Sequence, residues 1–598
     1  MINELLNIPK AYIALASLVL LLIMLLVNKL DTVVVFLINV FILIFFGVID
    51  SHDFIFNFSN SAIVSIFLII FLTAGINSYF PVSKLLDKLF TQQKNENLFM
   101  LQLGLSVTTI SSIMNNTPIV AIMIPYVNKW CKKMDVSPSK FLIPLSFFAI
   151  TGGVITLIGT STNLILNGLM VANGFESLSF FSFFAPGVVV SVLGILFFIT
   201  FGKKLLPNRK SIDELIKANK REYLLEVRLT KNSSLVNKNI EEAGLRNLQG
   251  VFLAEITRGE RTITPVKPDF ILQQKDVLHF VGDTNNILDL MTNDIGLEVA
   301  KKEKFNLGDA FDVIEAVIPS NSLISGYTVK ELGFRERYDA AIIGIHRNGE
   351  RVNGKIGEVK LKEGDLLLIS AGTDFQKLIT ADKSLYVVTY LEVAKEKAMA
   401  KPKKVFFWIG SFSVLLWGLL NNEPLLLILL FLVAVQSAVG MINTQSIKRN
   451  LDLKLLLILV AALTLGNALV ETKALEPLAT AMLRWGESQG TVFVVTALFI
   501  LTFVLTSIVT NVAAVSILFP IAISFTQIFQ LESTSLFFLV IAFGASASFI
   551  TPFGYQTNLM VYGPGNYNMK DFLKVGIPFT LVYGLGAIIS LLYLHKII

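Results

Sequence analysis

The sequence predicts a mostly α polytopic membrane protein of two similar halves, each with five transmembrane helices and one re-entrant hairpin, around inserted cytoplasmic α+β domains. Three observations predict it. Of 598 residues, 54% are hydrophobic and 16% charged, with a mean hydropathy of +0.67, too apolar for a string of soluble domains. The apolar residues gather in long, nearly uncharged blocks over 11–201 and 404–596, whereas 203–400 has ordinary globular composition. Polar motifs recur at matched spacing in the two apolar regions.

The first half offers blocks at 11–28, 32–49, 61–80, 97–127, 141–170 and 179–201. The second offers 404–420, 424–442, 454–471, 491–523, 535–562 and 573–596. Blocks of about 20 residues read as single crossings. Blocks 97–127 and 491–523 are longer and carry polar and Pro residues midway, as expected of a helix, a break and a second helix, and read as re-entrant hairpins. Five crossings per half is an odd number, so the halves would lie in opposite orientations, an inverted repeat. The expected divisions are 1–202, a linker 203–222, domains at 223–298 and 305–385, a linker 386–403, and 404–598.

Charge placement orients the chain. With 203–403 in the cytoplasm, Lys84, Lys88, Lys94, Lys129, Lys132, Lys133, Lys140, Lys203, Lys204, Arg209, Lys210, Lys448, Arg449, Lys454, Lys570 and Lys574 all fall inside. Loops 50–60, 171–178 and 421–423, placed outside, have no Lys or Arg, only 472–490 and the two short termini on that side carry a few, and His52 and Asp53 read as solvated loop residues. Both termini fall on the outer side of a plasma membrane, the inner membrane in a bacterium. The start, with Glu4 and Lys10, has no signal-peptide pattern, so 11–28 is kept as the first helix. The single cysteine, Cys131, excludes an intrachain disulfide and a Cys-rich metal site. A net charge of +6 fits inner-loop lysines rather than a nucleic-acid partner.

The informative residues lie at the breaks. Ser111-Ser112-Ile113-Met114-Asn115-Asn116-Thr117-Pro118 in the first half answers Thr506-Ser507-Ile508-Val509-Thr510-Asn511-Val512-Ala513 in the second. Pro125 and Pro520 follow nine residues after Asn116 and Asn511. Second breaks follow, Gly159-Thr160-Ser161-Thr162-Asn163 and Gly554-Tyr555-Gln556-Thr557-Asn558, with Asn163 and Asn558 each 47 residues past Asn116 and Asn511. Backbone groups unpaired at membrane depth cost several kcal/mol each, so such breaks must line a buried or wet cavity. Carbonyls with Ser, Thr and Asn oxygens suit a small hard cation such as Na+, and half-helix N-termini suit an anion. None of the four breaks contains Asp, Glu, Lys, Arg or His, so neither a proton relay on a buried carboxylate nor a fixed basic residue to neutralise the substrate has a candidate there.

Asn-Asn-Thr-Pro at 115–118, Thr-Asn-Val at 510–512, and the stretches 152–163 and 551–558 resemble the signatures of the divalent-anion:sodium symporters, the solute-carrier-13-like permeases of the ion transporter superfamily. The resemblance covers both membrane halves. It implies a homodimeric elevator transporter of a small anion. It implies sodium sites at Ser111, Asn116 and Gly159, and at Thr506, Asn511 and Gly554. Substrate contacts would be Asn115, Asn116, Thr117, Thr510 and Asn511, with the loop residues Ser161, Thr162, Gln556 and Thr557. The chain departs from the family with Asn115 and Thr510 in place of Ser and Val512 in place of Thr. The hydroxyl lost at Val512 turns the expectation from a dicarboxylate toward sulfate or another small oxyanion, with amino-acid or proton-coupled transport as alternatives.

The insert repeats internally. Val236 through Gly282 is answered by Ile324 through Ser370, each read as a short helix followed by strands joined at Gly-rich turns. The pattern resembles tandem TrkA C-terminal domains, which implies a regulatory or dimerising module with a nucleotide second messenger as its candidate ligand. Neither unit has a glycine-rich phosphate loop, which argues against an ATP-driven pump. An enzyme is not expected, since no nucleophile–base or metal-ligand cluster stands in the apolar blocks. Outside the transporter class, a channel or membrane sensor remains the competing expectation, without a charged ring or filter to carry it.

Overall fold

The computed structural model describes residues 9–79 apart from 28, 29 and 31; 95–209 apart from 180; most of 224–282, with 297–299; most of 313–387; 401–442 apart from 421–424; and 453–598 apart from 475, 478, 479, 481–489, 508 and 530–534. Lys84, Lys88, Lys94, Lys210, Lys448, Arg449 and most of both predicted linkers lie outside the described residues.

The apolar blocks fold as helices in matching order. The first half contains Lys10–Val27, Thr32–Phe45, Ser61–Tyr79, Glu96–Ser111, Asn116–Met134, Leu142–Gly153, Ser161–Ala172 and Phe184–Leu205. The second contains Lys401–Leu420, Leu425–Val439, Leu453–Glu471, Thr491–Thr506, Asn511–Phe529, Leu536–Ser546, Gln556–Tyr562 and Met569–Leu594. Each long block is thus two helices about a polar break, and the second hairpin arms run on to Met134 and Phe529, beyond the predicted ends at 127 and 523.

A short helix in the first half was not expected from the sequence. Residues 51–56, expected as part of a solvated loop, form a helix because Asp50 and Asp53 make a capping box, each side chain accepting from the other end's backbone N–H. The Asp-x-x-Asp spacing carried that signal.

By length and composition, Phe184–Gly202 and Met569–Leu594 can cross a bilayer among the described residues. The bent pair Ser51–Ser59 and Ile63–Leu72 would make a third span, and other helices there offer apolar stretches of 10–17 residues, such as Lys10–Leu25 and Leu456–Glu471. Polar breaks cut several predicted blocks to that length. Met569–Leu594 buries Phe572, Val575, Phe579, Tyr583 and Leu591 yet exposes Ile577, Leu581, Leu585, Ile589 and Tyr593. A helix apolar on both its packed and its open face fits lipid on the open side. The halves meet along this helix, where Phe579 packs among Phe147, Phe197, Phe198 and Phe549.

The insert forms two five-stranded antiparallel sheets. Its strands are β1 (Leu224–Leu229), β2 (Val251–Arg258), β3 (Arg261–Ile263), β4 (Val277–Gly282), β5 (Leu297–Val299), β6 (Val313–Val317), β7 (Ala340–Arg347), β8 (Glu350–Arg351), β9 (Leu366–Ala371) and β10 (Tyr386–Val387). The sheet orders are β3-β2-β4-β1-β5 and β10-β6-β9-β7-β8, the same order read in opposite directions. Equivalent residues stand 89 apart. Arg258 makes a two-pronged pair with buried Asp276, from Nε and Nη2 at 2.8 Å each, and Arg347 does so with buried Asp365 at 2.7 Å each. A register shift follows Leu253 in β2 and Ile342 in β7. The repeat was visible in sequence, but each unit also gains a leading strand, β1 or β6, that pairs with β4 or β9. A helix, Phe334–Tyr338, is described only in the second unit.

Candidate functional site

Each hairpin tip brings a hydroxyl onto the Asn side chain five residues later. Ser111 Oγ donates at 2.6 Å toward Asn116 Oδ1 and lies 2.7 Å from the Ala149 carbonyl oxygen. In the second half Thr506 Oγ1 lies 2.9 Å from Asn511 Oδ1 and 2.8 Å from the Ala545 oxygen, and Ser548 Oγ donates to the same Asn511 Oδ1 at 3.1 Å. A hydroxyl has one hydrogen. The first tip therefore gathers three oxygens around one hydrogen and the second gathers four around two. Such an excess of neutral oxygen lone pairs suits a hard cation.

The second breaks close over these tips. Asn163 Nδ2 donates to the Thr156 carbonyl at 3.0 Å, and Asn558 Nδ2 to the Thr551 carbonyl at 3.1 Å, tying each loop across its own turn. A Cβ on Gly159 would lie 2.5 Å from the Gly153 carbonyl oxygen, and Gly554 N donates to Thr551 Oγ1 at 3.0 Å. Both glycines thus lie in turns folded against the segment that abuts the hairpin Asn.

The remaining sequence candidates separate. Asn115 is exposed and caps Asn116–Met134, its Oδ1 accepting from Thr117 N, while Thr510 is exposed at the start of Asn511–Phe529 with its hydroxyl accepting from Ala513 N. Both half-helix N-termini are therefore capped by an exposed side chain. Gln556 Oε1 accepts from Thr117 Oγ1 at 3.0 Å, which joins the first tip to the second half's loop. Ser161 is half-buried. Thr162 and Thr557 are buried, as Asn116 is, and the Thr557 hydroxyl accepts from Ser146 at 2.8 Å. The reason is helical periodicity, since one residue past Ser161 or Gln556 the helix turns the side chain inward.

Sequence reasoning missed Tyr555. Asn116 Nδ2 donates to its hydroxyl at 2.8 Å, and that hydroxyl is 3.1 Å from Thr160 Oγ1, so one side chain from the second half bridges the first tip and the first loop. The signal was present, since Tyr555 stands where the first half has Thr160, 395 residues earlier.

Two paired, oxygen-lined breaks on facing hairpins and broken helices are a transporter-like arrangement, and comparison with known proteins agrees. The sequence profile of the citrate transporter family matches residues 20–422 and 415–598. The chain belongs to the citrate transporter family. The protein is 32% identical over 558 residues to a putative sulfur deprivation response regulator of Chlamydomonas reinhardtii, covering 90% of this chain and 94% of that one. It is 29% identical over 568 residues to an uncharacterised transporter of Synechocystis, covering 92% of each. Sodium/sulfate cotransporter 1 of Chlamydomonas reinhardtii is 28% identical over 379 residues, 60% of this chain and 42% of that one. As a citrate transporter family member, the protein is a multi-pass membrane transporter and not an enzyme.

Proposed function

We propose that this protein is a secondary active symporter that couples Na+ to uptake of a small divalent oxyanion, sulfate first, by an elevator movement of the hairpins and broken helices. The observation that carries it is the oxygen-rich pair of tips around Ser111–Asn116 and Thr506–Asn511, each beside a half-helix N-terminus with an exposed cap and built without a carboxylate, imidazole or basic side chain. Neutral oxygens short of hydrogens call for a cation rather than a proton carrier. Helix N-termini and amide or hydroxyl donors supply the anion's partners. Sulfate is supported by relatives bearing sodium/sulfate cotransporter names and by Val512, which withholds a hydroxyl that a second carboxylate would use. The family's citrate name favours a carboxylate as the second reading.

In this reading the halves are an inverted repeat, the protein is a homodimer, and the insert is a cytoplasmic regulatory unit. Uptake of radiolabelled sulfate and succinate into proteoliposomes, with and without an imposed Na+ gradient, tests it. Sulfate accumulation that follows the Na+ gradient is expected. Equal uptake with and without Na+, or uptake of succinate alone, would refute the coupling or the cargo respectively.

A further inference from the structure

We propose that the second sheet of the insert positions the helix Gln556–Tyr562, so that the insert and the solute site are energetically coupled. This rests on Tyr555 and Gln556 belonging to that site. The two faces of β9 have different partners. Leu367 and Ile369 join Ile314, Ala316 and Ile345 in the sheet's own core. Leu366 and Leu368, with Val317 and Ile343, belong instead to the core of the membrane helices, together with Met560, Val561 and Tyr562.

The fit is reciprocal. A Cβ on Gly563, just past the helix, would lie 2.9 Å from Leu366 Cβ, and a Cβ on Gly364, just before β9, would lie 2.5 Å from Leu559 Cδ1. Each partner supplies a leucine and a glycine to receive it.

The first sheet is an internal control. Lys275, 89 residues before Gly364, holds the same turn at φ 69° against 81° for Gly364. A lysine can therefore adopt this backbone, and the glycine at 364 answers the approach of Leu559 rather than the turn. Likewise His279 occupies the place of Leu368, and the first sheet keeps that face polar, with Thr257 Oγ1 2.8 Å from His279 Nε2 and Glu226 3.7 Å from its Nδ1. Among the described residues it is the second sheet that docks on the helix.

The docked helix needs support. It has seven residues after a non-helical stretch, and isolated helices shorter than about 12–15 residues are marginal. What packs on it sets where Tyr555 and Gln556, at its N-terminus, meet Asn116 and Thr117. Coupling runs both ways: a solute that fixes the helix also stabilises the docked sheet.

Gly364→Lys tests this, because it copies the residue the first repeat accepts at the same φ and sets it against Leu559. Leu366→Ala loosens the same contact without adding bulk, and Lys275→Gly is the control. In the reconstituted full chain without solute, amide hydrogen exchange over 556–562 is expected to rise at least about tenfold in both test variants, with β7 and β9 still protected and no change in Lys275→Gly. The KM for uptake is expected to rise several-fold, beyond any change in maximal rate. Unchanged exchange at 556–562 in both variants overturns the docking role, and an unchanged KM where exchange has risen overturns the coupling. Absence of sulfate uptake by the unaltered protein would instead strike the proposed cargo and leave the exchange result standing.

Discussion

Replacing Gly153 by Ala probes the first hairpin tip directly. A Cβ at 153 would lie 2.6 Å from Asn116 Oδ1 and 2.9 Å from Nδ2, so the carboxamide must withdraw about 0.8 Å to reach an ordinary contact of 3.4 Å. It cannot do so and keep both its bonds, the 2.6 Å bond from Ser111 and the 2.8 Å bond to Tyr555. Losing one or both hydrogen bonds at ~1 kcal/mol each costs ~1–2 kcal/mol. That corresponds to a site about 5- to 30-fold weaker. The second half holds Ser548 in the matching place, where its hydroxyl adds one bond to Asn511, so Ser548→Gly should cost ~1 kcal/mol, about fivefold. The assay is the Na+ concentration that half-saturates solute uptake in proteoliposomes, with the thermal midpoint as a check on folding. A half-saturating concentration for Gly153→Ala within about twofold of the unaltered protein would refute the reasoning.

Asn511→Ala removes an oxygen approached by two hydroxyls and should abolish cation-dependent uptake without preventing folding; unchanged cation dependence would remove this tip from the mechanism. Asp571→Asn leaves Arg209 without the carboxylate 2.9 Å from its Nη1 and should lower the thermal midpoint by a few degrees, which calorimetry would detect. Burial holds the His279 imidazole below its ordinary value, against an opposing pull from Glu226. A histidine kept neutral by the fold contributes stability above its unfolded pKa and loses it as pH falls through the folded one. Exchange in 277–282, corrected for the intrinsic pH dependence, should therefore rise as pH drops below about 6.5, and His279→Leu should flatten that response.

Much of this architecture was legible because its signals are repeated. Asn116 and Asn511, with Asn163 and Asn558 at equal distance, mark the breaks in the sequence, and a side-chain bond of the same kind stands at each. The short helix at 51–56 was missed because its capping box sits in a stretch that the hydropathy pattern marks only as a loop. The leading strands β1 and β6 were missed for another reason: antiparallel pairing to β4 and β9 is non-local, and no short-range turn announces it.

The two halves agree at the hydroxyl–Asn pairs and part company beside them. Thr117 corresponds to Val512, Thr160 to Tyr555 and Ser161 to Gln556, so a polar latch between the halves exists once and not twice. Its consequence is electrostatic. Asn116 Nδ2 is already bonded to Tyr555, whereas Asn511 is only half-buried and its Nδ2 has no hydrogen-bond partner among the described residues. At the first tip Asn115 and Gln556 use only their oxygens, so amides without a hydrogen-bond partner among the described residues stand there too, beside the hairpin Asn rather than on it. The broken symmetry therefore moves the free amide from beside the hairpin Asn in the first half onto that Asn in the second.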